Sequence, residues 1–206
     1  MKPTVSIESL LGSRSRVAVL RVLLGVTVPL NASQIAAHAS LTRPAVSTVL
    51  DELATMGIVR SSSAGRANVH LLERQSVYVE QLIAPLFEAE QSLPQTLEDD
   101  LRAAFADSAE SILLFGSYAR GEQRIGSDVD VVLVASNQPE KQALDERVRA
   151  YSPAFQARYG AALSDITYDA REASALWRTA PALLESLKRD AVVISGRGPW
   201  EWTEDE

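Results

Sequence analysis

Two aspartates, Asp128 and Asp130, stand one residue apart in the stretch "SDVDVVLV". The apolar residues around them read as a strand, and strands seldom carry acids at alternate positions. Alternate side chains of a strand share a face. Asp128, Asp130 and Val132 are therefore expected on one side, and Val129, Val131 and Leu133 on the other. The rise per residue sets the two carboxylates about 6.5–7 Å apart. Like charges placed so repel each other unless a cation lies between them. A hard divalent ion suits such an oxygen-only pair. Mg2+ (or Mn2+) held by one or two carboxylates plus substrate phosphates is the usual form.

A second group lies just upstream. "SILLF" reads as a strand, and "GSYARG" breaks it and opens a short helix. Glycine at a strand end lets the backbone approach a ligand closely. Amides at a helix start, with the Ser117 hydroxyl, favour an anion such as a triphosphate. Ten residues separate Ser117 from Asp128, giving the pattern Gly-Ser-x10-Asp-x-Asp.

The whole stretch "FGSYARGEQRIGSDVDVVLV" resembles the signature of the DNA polymerase β-like nucleotidyltransferase superfamily, in its minimal nucleotidyltransferase branch. The resemblance covers roughly residues 95–196. It implies a two-metal transfer of a nucleoside monophosphate from a nucleoside triphosphate, ATP being the commonest donor, to an acceptor. It implies Asp128 and Asp130 as bridging metal ligands, and Gly116 and Ser117 as the phosphate cradle. Arg120 and Ser127 match the nucleotide-binding part of the motif. For Arg120 an ion pair with Glu122 is an equal expectation. The resemblance also implies a third carboxylate on a later strand. Asp165 lies at the centre of "ALSDITY" and is the expected ligand and proton acceptor. Asp169 falls at the end of that strand, where a helix N-cap explains it as well.

Other elements must position these residues. "SRVAVLRVLLG" spaces its apolar residues as a helix closed by Gly25. "NASQIAAHAS" is a second helix with Ser33 as its expected cap. "LTRPAVSTVLDELATMG" is a third, with Thr42 as cap and a stripe of Val46, Val49, Leu50 and Leu53. "IVRSSSAGRANVHLLE" reads as a hairpin around Ala64-Gly65. Three helices and a hairpin resemble a winged helix-turn-helix over roughly residues 12–73. That resemblance implies duplex DNA as partner. Arg43, Ser47 and Thr48 would meet base edges, and Arg60 and Arg66 of the wing would lie near the backbone. A protein-binding module is the other reading of the same order. His38 and His70 stand alone and read as packing or surface residues.

The fold class expected is α+β. A winged helix-turn-helix fills residues 1–74, a helical connector 75–107, and a small mixed-sheet nucleotidyltransferase domain 108–206. Pro85 and Pro94 predict a kink or a break in the connector. Its apolar stripe is expected to pack on the second domain, with a dimer seam as the alternative.

Composition bounds the rest. The chain of 206 residues is 46% hydrophobic and 23% charged, with no cysteine, so disulfides and thiolate metal sites are excluded. Its net charge of −7 is unevenly spread. Residues 1–74 carry eight bases and four acids, net +4, and the remainder carries 12 bases and 23 acids, net −11. A charge of +4 is modest for DNA binding, which predicts a homodimer with two half-sites. No apolar run has the length of a membrane span or of a signal peptide, so the expectation is a cytoplasmic protein. Two further functions share these features. One is a transcriptional regulator whose transferase domain senses nucleotide. The other is an antitoxin-like protein whose partner or acceptor is a toxin-like protein.

Overall fold

The computed structural model describes residues 5–65 and 67–202, and the chain divides into two compact units, residues 1–93 and 94–206. The connector expected at 75–107 is thus divided between them. No helix among the described residues is long and apolar enough to cross a membrane.

The first unit begins with α1 (Ile7–Leu11) and α2 (Arg14–Leu24), capped by the hydroxyls of Ser6 and Ser13. Strand β1 (Leu30–Asn31) leads directly into α3 (Ala32–Ala39). Asn31, not Ser33, caps α3. Its side chain accepts from the amides of Ser33 and Gln34, and Gln34 reaches back to the Asn31 amide. Helix α4 (Arg43–Thr55) follows with Pro44 in its first turn, and the Thr42 side chain makes no cap hydrogen bond. Strands β2 (Val59–Ala64) and β3 (Ala67–Leu72) form the expected hairpin. With β1 they make an antiparallel sheet in the order β1-β3-β2. The α4 stripe of Val46, Val49, Leu50 and Leu53 is buried against Leu20, Leu23, Ile35 and Ile58. Each such side chain removed from water contributes about 1.5–3 kcal/mol.

A single π-helical segment, Val79–Ile83, precedes α5 (Ala84–Phe105), which runs on through Pro94. Of the kink or break expected at Pro94, the break is not found. Val79, Ile83 and Phe87 complete the first core, whereas Leu97, Leu101 and Phe105 belong to the second.

The second unit is built on a four-stranded sheet of β4 (Ser111–Phe115), β5 (Val129–Ala135), β6 (Leu163–Asp169) and β7 (Val192–Gly196). The order is β6-β5-β4-β7. Strand β4 pairs antiparallel with β5 and β7, and β5 pairs parallel with β6. The parallel pair requires a crossover, supplied by α7 (Gln138–Tyr159). Between β4 and β5 lies the short α6 (Gly116–Ala119). After β6 come α8 (Ala170–Ser174), α9 (Leu176–Thr179) and α10 (Pro181–Asp190).

Alternation gives the sheet two apolar faces. Ile112, Leu114, Val129, Val131 and Leu133 pack with Leu144, Val148 and Phe155 of α7. Leu113, Val132 and Val134 pack with Leu176, Leu184, Leu187 and Trp202. Of the two tail tryptophans, Trp202 is docked and Trp200 is exposed.

Candidate active site

The antiparallel turn from β4 into β5 brings the two halves of the motif together. Phe115 pairs directly with Asp130, so Gly116 begins α6 beside the Asp130 carboxylate. Gly116 has φ of +71°. A Cβ there would collide with Asp130 Oδ2 and lie 3.1 Å from its Cγ. Both the backbone conformation and the close approach therefore require glycine. Asp130 is half-buried, whereas Asp128 precedes the strand and is exposed. A bare backbone against one carboxylate, with a second carboxylate two residues before it, offers the oxygen ligands that a hard divalent ion takes. Asp128, Asp130 and Gly116 thus fit the group that the motif implies.

The remaining motif residues form a tight turn next to this point. The Glu122 amide donates to the Ser117 carbonyl at 2.9 Å. The Arg124 amide donates to Ser127 Oγ, and the Ser127 amide to the Arg124 carbonyl, each at 2.9 Å. The Ser127 hydroxyl is therefore engaged in the loop's own structure. Ile125 projects fully into solvent between Arg124 and Gly126. Arg120 Nε donates to Glu122 at 2.8 Å, and its Nη1 lies 3.8 Å from Asp190. The hydrogen bond to Glu122 first, and then the charge of the neighbouring acids, raises the Arg120 pKa. The local ion pair expected for Arg120 is the one found. Asp190, at the end of α10, has its own pKa lowered, first by its hydrogen bond from Arg189. Its approach to Arg120 joins residues 70 positions apart, and no local signal in the sequence marks it.

The register of β6 places the third expected carboxylate elsewhere. Asp165 pairs with Val131, on the face that α7 covers, whereas Asp130 pairs with Ser164. Asp165 accepts a hydrogen bond from Thr167 Oγ1 at 3.3 Å, two residues along the same face. The structure does not bring Asp165 to Asp128 and Asp130, and the expectation of a three-aspartate cluster is corrected on that ground. Among the described residues, no three His, Asp or Glu side chains gather in a metal-binding group. Asp169 caps α8: the Glu172 amide donates to its Oδ1 at 2.8 Å, and Glu172 Oε2 accepts from the Asp169 amide. The N-cap explanation of Asp169 accounts for its buried side chain.

In the first unit, Arg43 and Ser47 line a groove of about 560 Å³ with Asn31, Ser33, Asp51, Asn68 and His70. Thr48 is exposed, and its hydroxyl donates to the Pro44 carbonyl at 3.2 Å. Arg60 lies opposite Leu71, away from the hairpin tip, and its guanidinium is 3.7 Å from Glu73. Arg66 lies outside the described residues. His70 is buried, and its Nδ1 is 2.9 Å from Ser61 Oγ. Burial lowers its pKa, partly opposed by the charge of Asp51. The expectation of a packing histidine holds, but its place in a polar groove was not legible from an isolated residue.

Residues 95–193 match the family described as a nucleotidyltransferase domain. A Methanocaldococcus jannaschii protein, provisionally named protein adenylyltransferase MJ1305, is 41% identical over 71 residues, which are 34% of this chain and 48% of that protein. The chain thus spans about half the length of this curated relative. Among solved structures, a toxin-antitoxin complex with AMP-PNP is 22% identical with a TM-score of 0.36, covering 48% of this chain and 73% of that one. An antimony-specific transcriptional repressor, AntR, is 22% identical with a TM-score of 0.32, covering 44% and 90%.

Proposed function

We propose that the domain at residues 95–193 transfers a nucleoside monophosphate from a nucleoside triphosphate, ATP first, to a hydroxyl of a protein acceptor. The observation that carries the reading is the contact of Gly116 with Asp130 inside a Gly-Ser-x10-Asp-x-Asp motif. The family match supports the reaction class. The name of the M. jannaschii relative supports an adenylyl group and a protein acceptor.

In this reading Asp128 and Asp130 hold Mg2+ or Mn2+, which would screen phosphate charge and stabilise the displaced oxygen. The amides of Gly116 and Ser117, with the Ser117 hydroxyl, hold the β- and γ-phosphates. Arg120 exchanges Glu122 for a phosphate oxygen when nucleotide arrives. Ser127 keeps the loop before Asp128 in its turn. The acceptor oxygen attacks the α-phosphorus, the bond from that phosphorus to the β-phosphate oxygen breaks, and pyrophosphate leaves. The hydroxyl proton passes to solvent or to a base. Incubation of the full chain with labelled ATP, CTP, GTP or UTP, Mg2+ and a cell lysate tests the reading. A labelled protein, absent with D128N, is the expected product. No labelled product with any nucleotide defeats it.

For the first unit the proposal is a winged helix-turn-helix that binds duplex DNA, as a homodimer on two half-sites. Its support is the order α2, α3, α4 and hairpin, and the exposed Arg43 and Thr48 opposite the buried stripe of α4. Anisotropy titration of the full chain on duplex DNA should show affinity falling steeply with salt. Unchanged binding by R43A and by R66A would leave the unit as a protein-binding module.

A second reading is favoured by one observation. The face of β6 next to Asp130 offers Ser164 instead of an acid. A regulator that binds nucleotide with little turnover is consistent with that substitution.

A further inference from the structure

We infer that the ion-binding side of this domain is a two-carboxylate site, with Ser164 facing it from β6 and Asp165 taking no part. The inference rests on the nucleotidyl-transfer reading, and it deepens that reading by specifying the ligand set.

Strands β5 and β6 run parallel, and their pairing is unbroken from Val129 opposite Leu163 to Ala135 opposite Asp169. Paired residues of neighbouring strands lie on one face, and successive residues alternate. Apolar neighbours identify each face independently. Val129, Val131 and Leu163 lie in the cluster with α7. Val132, Phe115, Ile166 and Tyr168 lie in the cluster with α10 and Trp202. Asp130 shares the parity of Val132 and is the direct partner of Phe115. Ser164 shares the parity of Ile166 and is the direct partner of Asp130. Asp165 is on the other side of the sheet.

Only a one-residue slip of β6 would bring Asp165 to the Asp130 face. Such a slip turns every side chain of the strand over. It would take Ile166 and Tyr168 out of their apolar cluster and put Thr167 in their place. The buried partners of Ile166 and Tyr168 therefore hold the register. A serine hydroxyl is a neutral ligand, far weaker toward a hard cation than a carboxylate. With only two carboxylates the free chain holds a divalent ion loosely, and phosphate oxygens of the nucleotide must supply further ligands. Metal and nucleotide accordingly bind together.

Mn2+ titration of the full chain, read by calorimetry and by electron paramagnetic resonance, tests the assignment with and without a non-hydrolysable ATP analogue. D128N and D130N should each weaken Mn2+ binding about tenfold or more, because a charged ligand is lost. D165N should leave it unchanged. S164D should tighten it about tenfold by adding a third carboxylate on the same face. The ATP analogue should tighten Mn2+ binding to the unaltered chain. Thermal melts confirm that each variant is folded. Weakening by D165N comparable to that of D130N overturns the proposal, as does S164D that melts normally without gain. Unchanged Mn2+ binding in both D128N and D130N sinks the nucleotidyl-transfer reading itself, and this proposal with it.

Discussion

Strands β5 and β6 are neighbours, parallel and similarly marked by acids, yet the two pairs do different things. On β5, Asp130 meets the bare backbone of Gly116, and Asp128 stands free just before the strand. On β6, Asp165 accepts a hydrogen bond along its own strand, and Asp169 caps the next helix. The residue type is the same at all four positions. What differs is the partner that the fold supplies. A carboxylate against a bare glycine backbone keeps its oxygens for a ligand, whereas one at a helix start is already satisfied by an amide. Acid spacing in a sequence thus indicates chemistry only with the groups that face it.

Substitutions can break this contrast. D128N combined with D130N should reduce nucleotidyl transfer by roughly a thousandfold or more, because both carboxylates of the motif are lost. Melting should be unchanged, and a rate assay with labelled ATP separates the two effects. G116A should cost roughly a hundredfold in transfer, since its methyl group displaces Asp130 and its backbone is strained. A variant with full activity would show that the contact does not matter. I166A should destabilise the second unit by about 1–2 kcal/mol, less than a fully buried site, since Ile166 is half-buried. Urea denaturation measures it, and a null result would remove the apolar hold on the β6 register. D169A should lower stability by about 0.5–2 kcal/mol through loss of the α8 cap, with transfer per folded molecule unaltered. D165N should have the smallest effect, within about 0.5 kcal/mol in stability. Transfer by D165N should equal that of the unaltered chain. An inactive but folded D165N would erase the contrast between the strands.

Local features were legible in the sequence, and features set by distant pairing were not. The Gly-Ser turn, the alternation of β5 and the Arg120–Glu122 pair all depend on residues close in sequence. Each is found as expected. The α4 stripe was equally legible, because helical spacing alone gives its buried face. The side of the sheet on which Asp165 falls depends on how β6 pairs with β5, across the 22-residue α7. No local pattern encodes that register. The α3 start was misplaced by two residues because Leu30 and Asn31 are recruited to pair with β3, which puts the cap at Asn31. The helical stretch expected at 75–107 is divided between the two units for a related reason. A single long helix serves one core with Phe87 and another with Leu101, and a helical period does not reveal which core each turn meets.

The docking of Trp202 has an optical consequence. The chain's three tryptophans are Trp177, Trp200 and Trp202, all within residues 94–206. Trp177 and Trp200 are exposed, while Trp202 is buried among Leu113, Val132 and Leu187. Excitation at the indole band therefore reports on the second unit alone. The blue-emitting fraction belongs to Trp202, and acrylamide should quench the other two indoles first. Far-ultraviolet circular dichroism sees helices of both units. Divergence between the two signals during denaturation would show the units unfolding separately, and coincidence would show one cooperative transition.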